Sequence, residues 1–183
     1  MVQQLSTGMR IISLYGLGNL AEKCHRMSID ALHSAKFMSN HSSLSVQTIC
    51  LLIYVGHNLG QSDEISVLLS CGIRIAQSLG LHRLGSDSLS RPVEGTSAVR
   101  SLVSREVNKR TWWFLIRQDW LQIPFLNTYS IHPTQFNTPM PRNCFEDIHL
   151  MAQNNQIVEQ QPETYTQSSY TSVLNHSRQP PVS

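Results

Sequence analysis

The sequence predicts an all-α fold: an irregular antiparallel array of helices, part of a larger helical body, ending in an extended and partly disordered C-terminal tail. Three observations carry that reading. Apolar residues recur at steps of three and four along four segments between Leu20 and Gln122, which places them on helix faces. Polar or Gly- and Pro-containing breaks separate the segments. The last segment carries large apolar side chains on nearly every side, the pattern of a helix enclosed by neighbours.

The first helix runs from about Leu20 to Met38 behind Asn19 as N-cap, with Leu20, Cys24, Met27, Ala31, Ala35 and Met38 on its inward face. Asn40, His41, Ser42 and Ser43 break it. A second helix follows on Val46, Ile49, Cys50, Ile53 and Gly56. Its β-branched run from Ile49 to Val55 also suits a buried strand, and length and spacing decide for helix. The third helix is capped by Ser62 or Asp63, aligns Ile65, Leu68, Leu69, Gly72, Ile73, Ala76 and Leu79, and stops at Gly80. Glycine inside a helix costs about 1 kcal/mol against alanine. Gly72 with Ala76 one turn on therefore predicts a notch where another helix crosses closely.

A Gly, Ser, Pro and Thr-rich loop spans Leu84 to Ser101, and the fourth helix runs from about Leu102 to Gln122. Val103, Val107, Phe114 and Leu121 share one side, Leu102, Trp113, Ile116 and Trp120 lie a quarter turn away, and Trp112 points opposite. Charges in such a helix must be paired, and Glu106 and Arg110 stand at i, i+4. Arg74, Glu106, Arg110 and Asp119 are expected to make structural polar contacts between the third and fourth helices. Pro124, Pro133, Pro139 and Pro141 mark an extended connector. The organisation is then 1–19 without recognised match, 20–150 helical domain, and 151–183 polar tail or the start of a next helix cut short.

At 183 residues the chain suffices for one domain with a core. Its 14% charged residues fall below the usual quarter, and its net charge is +2. Those values exclude a histone-like or acidic solvating protein and disfavour phosphate-driven nucleic-acid binding. Gly16 and Gly18 interrupt the only stretch resembling a secretory signal, and the longest apolar run, Ile49 to Val55, is far short of the about 20 residues of a membrane span. A soluble protein is expected.

No catalytic, cofactor-binding or metal-ligating residue is assigned. The nearest cysteines, Cys50 and Cys71, are 21 positions apart, so Cys24, Cys50, Cys71 and Cys144 lack the paired spacing of zinc ligands and read as reduced, buried thiols. The eight histidines, His25, His33 and His82 among them, show no ligand arrangement and read as capping, surface or packing residues. No Gly-rich phosphate loop, nucleophile elbow or carboxylate pair appears. Arg100, Arg105, Lys109, Arg110 and Arg117 project in several directions, which favours structural ion pairs over a nucleic-acid face.

Two motifs carry a resemblance. The run from Ile73 to Arg83, Ile-Arg-Ile-Ala-Gln-Ser-Leu-Gly-Leu-His-Arg, resembles the "A-x-R-x-A-x-x-L-G-L-H-R" segment of the fungal-specific transcription factor domain, the middle homology region of fungal zinc-binuclear-cluster regulators. Glu106, Lys109, Arg110, Trp112, Trp113 and Asp119 look like that family's "E-x-x-[KR]-R-x-W-W-x-x-x-x-x-D" helix. Ser45 to Thr48, and Pro139 to Asn143 with Asp147, resemble its flanking segments. The resemblance covers about Leu20 to Leu150. It implies a non-catalytic, all-α regulatory domain, not an enzyme, in a nuclear factor that regulates DNA-templated transcription.

The implied partners are the remainder of a transcription factor or other transcription machinery, with DNA reached only through a separate zinc-cluster module. Zinc is implied for that six-cysteine cluster alone, and no cofactor for this chain. The cluster, its basic linker and a dimerisation coiled coil are missing, and the chain reads as a truncated product or fragment. The alternative function is a helical module that senses a small-molecule effector beside its tryptophans, or binds proteins, without membrane or DNA contact.

Overall fold

The computed structural model describes residues 19–86, 96–153, 156–161 and 163–177, and all four expected helices are present. We label them α1 (19–34), α2 (Ser43–Gly56), α3 (Ser62–Ser78) and α4 (Thr96–Leu121). Three short helices follow: α5 (Ile123–Leu126), α6 (Ile148–Met151) and α7 (Ser169–Ser177). The middle of the predicted loop, 87–95, and the segment 1–18 lie outside the described residues.

α1 is a helix, but it buries a different face from the one its apolar spacing suggests. Leu20, Cys24, Met27, Ala31, Ala35 and Met38 are exposed, whereas His25 and Leu32 are buried with Ile29 beside them. Two anchors set that rotation. At the C-terminus Lys36 takes φ 52°, and the amides of Lys36 and Phe37 bond back to His33 O and Leu32 O, which turns Phe37 into the core at 1% exposure. At the other end, the His25 ring lies against Gly56, where a side chain would bring a Cβ within 3.4 Å of Nε2.

Ser42 caps α2 by accepting the Ser45 amide, as a serine in extended conformation before a helix does. Val46, Ile49, Leu52 and Ile53 face the core. Gly60, at φ 73°, closes the following turn while Gln61 N bonds to Gly56 O. α3 starts without a side-chain cap: Gln61, not Ser62 or Asp63, holds the N-cap position, and Asp63 and Glu64 act from the first turn on the positive helix end. The stop at Gly80 is as expected, with φ 77°. Gly72 is the close crossing that its place in the pattern predicted. A Cβ there would meet Ile49 Cγ2 of α2 at 3.0 Å and Leu115 Cδ2 of α4 at 3.5 Å.

α4 begins six residues before the predicted Leu102, because Ala98, 4% exposed, already packs inward. It is the central helix: Thr111, Trp112 and Trp113, at successive positions about 100° apart around it, are all buried. Pro124 lies in the first turn of α5, where its missing N–H breaks no helical bond. Asp147 caps α6 through its carboxylate, and a two-strand antiparallel pair, Ala152–Gln153 with Gln156–Ile157, follows in the register Ala152 to Ile157. α7 occupies the stretch where the sequence left a polar tail or a next helix, and Asn175 accepts a bond from Arg117 of α4 at 3.1 Å. Among the described residues, no helix is long and apolar enough to cross a membrane.

Candidate functional site

The residues of the two motifs converge on the connector between Ser130 and Cys144. A proline-rich extended chain satisfies few of its own backbone groups, so its amides and carbonyls need partners elsewhere. α4 supplies them along one flank. The Asp119 carboxylate accepts the amides of Ser130 (2.8 and 3.0 Å) and Ile131 (2.7 Å), and Trp120 Nε1 donates to Ile131 O at 2.9 Å. Two turns earlier Trp113 Nε1 is shared between Thr138 O and Pro139 O. Earlier still, Glu106 Oε1 accepts the Arg142 amide at 2.8 Å.

Glu106 and Lys109 are 1% and 2% exposed, and their charges lie 3.4 Å apart. Arg110 completes the group, with Nε 3.8 Å from Glu106 and Nη2 3.0 Å from the Cys144 sulfur. A buried carboxylate without such cations would be strongly destabilising. Burial pushes the Cys144 thiol above its usual value, opposed by the Arg110 guanidinium.

The Leu-Gly-Leu-His-Arg turn grips the same connector from the other side. Thr138 Oγ1 donates to Leu81 O and accepts the Leu84 amide, while Asn137 N donates to His82 O. Arg105 of α4 donates to the carbonyls of Leu84, Gly85 and Ser86. Between turn and helix, Trp112 meets the His82 ring at 5.9 Å and Phe136 at 6.0 Å, and Phe136 stands edge-on to Trp113. Desolvation, helped by the nearby Arg83 charge, lowers the His82 pKa from 6.5.

Of the four residues expected to link α3 and α4, Glu106 and Arg110 form their pair, but it faces the connector. Asp119 binds connector amides, and Arg74 is exposed on the outer side of α3. The i, i+4 geometry was readable; the partner of an aspartate that binds backbone amides leaves no mark in a sequence. Thr138, and the contacts that Asn143 and Cys144 make, were missed for the same reason. Asn143 Oδ1 accepts Thr166 and Ser169 hydroxyls, tying the connector to the start of α7.

Lys109 and Arg110 pair with Glu106, as expected of structural ion pairs, while Arg105 donates to backbone carbonyls and Arg117 to Asn175 Oδ1. The four cysteines are free, and they are not uniformly buried: Cys24 is exposed, Cys50 and Cys71 are intermediate and Cys144 is buried. Cys50 is nonetheless desolvated enough for its thiol to be pushed up to about 12. Among the described residues, no group of three His, Cys, Asp or Glu is placed to hold a metal ion. A cleft of about 320 Å³ opens between α1 and the start of α3, lined by Glu22, His25, Asp30, Gln61 and Glu64 among others, away from the tryptophans.

The chain is similar to fungal transcription factors over most of its length. Transcription factor TAS2 of Pyricularia oryzae is 27% identical over 144 residues, 76% of this chain and 18% of that protein. The agnestins biosynthesis cluster transcription factor AgnL11 of Paecilomyces divaricatus is 29% identical, covering 78% of this chain and 22% of its own. The probable transcription factor lepB of Aspergillus flavus is 28% identical over 64% of this chain and 22% of its own. The chain thus spans about a fifth of the length of these relatives. No family model and no solved structure matches it.

Proposed function

We propose that this chain is a non-catalytic regulatory domain of a fungal zinc-cluster transcription factor, acting in the nucleus. DNA and zinc are bound by a separate cysteine-cluster module, and this domain modulates the factor through contacts with its remainder or with other transcription machinery. One observation carries the reading. Residues of both resemblance-bearing motifs meet around one connector, and their polar groups bind its backbone instead of converging on a cavity. A rigid scaffold of that kind suits a domain that transmits or restrains, and the named relatives supply the biological setting.

The test is a reporter experiment. The full chain, fused to an unrelated DNA-binding module, should change output several-fold relative to the module alone at equal protein level. Unchanged output would overturn the regulatory reading. The effector alternative draws on the cleft beside α1, since the faces of the three tryptophans are covered by protein. A metabolite that shifts the melting temperature, and loses that effect in Glu64→Gln, would favour it.

A further inference from the structure

The chain leaves the Leu-Gly-Leu-His-Arg turn through Gly85, at φ 66°, and Ser86, which is exposed. One guanidinium nitrogen meets all three residues that follow Arg83. Arg105 Nη2 of α4 donates to Leu84 O at 2.6 Å, to Gly85 O at 2.9 Å and to Ser86 O at 3.2 Å. That nitrogen carries two hydrogens, so three acceptors overfill it, and the bond to Ser86 is the longest and weakest. A stronger acceptor presented at Ser86 therefore displaces only a shared, neutral bond.

The sequence says which acceptor that is. Only Arg10 and Arg83 stand three residues ahead of a serine or threonine in this chain, namely Ser13 and Ser86. Arg83 is exposed, as Ser86 is. Protein kinases select substrates by the charge pattern around the hydroxyl, and an arginine three residues before it is one such pattern. We propose that Ser86 is a phosphorylation site for an arginine-directed protein kinase, and that Arg105 clamps the phosphate against α4. In the transfer, Ser86 Oγ bonds to the γ-phosphorus of ATP as the bond from that phosphorus to the β–γ bridging oxygen breaks. ADP leaves, and the hydroxyl proton passes to the kinase's base.

A phosphoserine carries a charge of about −1.5 to −2 and three acceptor oxygens, and its bonds to arginine are about twice as strong as those between neutral groups. Rotation about Cα–Cβ and Cβ–Oγ swings it toward the nitrogen that already reaches the Ser86 carbonyl. Asp87, next in sequence, repels it, and Arg83 and Arg105 outnumber that single charge. The clamp fastens to α4 the same turn that Thr138 of the connector bonds to, which gives the domain a covalent input. Its chemistry is independent of the regulatory role proposed above, so the reporter experiment and the one below fail separately.

The full chain carrying Ser13→Ala is incubated with ATP, Mg²⁺ and a calmodulin-dependent protein kinase, which reads arginine at that spacing. Mass spectrometry should find a phosphoryl group on Ser86. Arg83→Ala should slow its entry at least tenfold, and Ser86→Ala should abolish it. Phosphorylation should raise the melting temperature by about 2–4 °C, a shift that vanishes in Arg105→Ala. Because that variant also loses the carbonyl bonds, phosphorus-31 resonance of the unsubstituted Arg105 chain gives a second readout. The phosphate's second ionisation should lie below its value in the same chain unfolded in urea, since a nearby cation favours the dianion. The proposal is overturned by no uptake at Ser86, by uptake indifferent to Arg83→Ala, or by a phosphate that leaves the melting temperature or its own ionisation unchanged.

Discussion

Replacing Asp119 by alanine removes the group that holds the start of the connector against α4. Its carboxylate accepts the amides of Ser130 and Ile131 and is 4% exposed. Hydrogen bonds to a charged acceptor contribute about 1.5–3 kcal/mol each, and a buried donor left without a partner costs about 1–3 kcal/mol. The two losses are unequal. Ser130 is exposed, so its amide regains water, whereas Ile131 is 1% exposed and its amide does not. The loss at Ile131 therefore dominates, and the net cost is about 2–4 kcal/mol. At about 2–4 °C per kcal/mol for a chain of this size, the melting temperature should fall by roughly 4–16 °C. Asp119→Asn keeps one acceptor oxygen and should lose about half as much. Urea and thermal unfolding of the three proteins give the comparison. Equal melting curves for the parent chain and Asp119→Ala would refute the clamp.

Other outcomes follow from the same geometry. Gly72→Leu should destabilise by about 1–3 kcal/mol, since its first added carbon already meets Ile49 Cγ2 at 3.0 Å. Gly72→Ala should stay within about 1 kcal/mol, the gain in helix propensity offsetting the tight contact. His82 has a folded pKa below 6.5, so the unfolded chain binds the proton more readily. Stability is then full above pH 6.5 and declines as pH falls through 6.5 towards the folded pKa; denaturant midpoints across pH 5–8 should show this decline, and His82→Phe should flatten it. In native alkylation at pH 8, Cys24 should react first and Cys50 and Cys144 last, as mass spectrometry of the modified chain will show.

Helix positions, the Gly80 stop and the Gly72 crossing were legible because each rests on a local cause: spacing, a left-handed cap and a missing side chain. The rotation of α1 was not. Its sequence offers two stripes, Leu20, Cys24, Met27 and Ala31 or His25, Ile29 and Leu32, and the first is the more apolar. The second faces the core because the His25 ring packs beside Gly56, a tertiary contact, and because the turn at Lys36 brings Phe37 into the core. The centrality of α4 could be read from its tryptophans, yet which side each faced could not. Trp112, set apart from the apolar arc by helical arithmetic, is fully buried because the connector's Phe136 and the His82 turn cover that side.

The central claim is that the motif residues of α4 hold the fold together and influence function through it. Measuring reporter output against melting temperature for Glu106→Gln, Arg110→Ala, Trp113→Phe and Asp119→Asn tests this most directly. Output should fall in the same order as stability, with conservative variants that keep the melting temperature keeping activity as well. A variant that abolishes output while its melting curve stays unchanged would contradict the account.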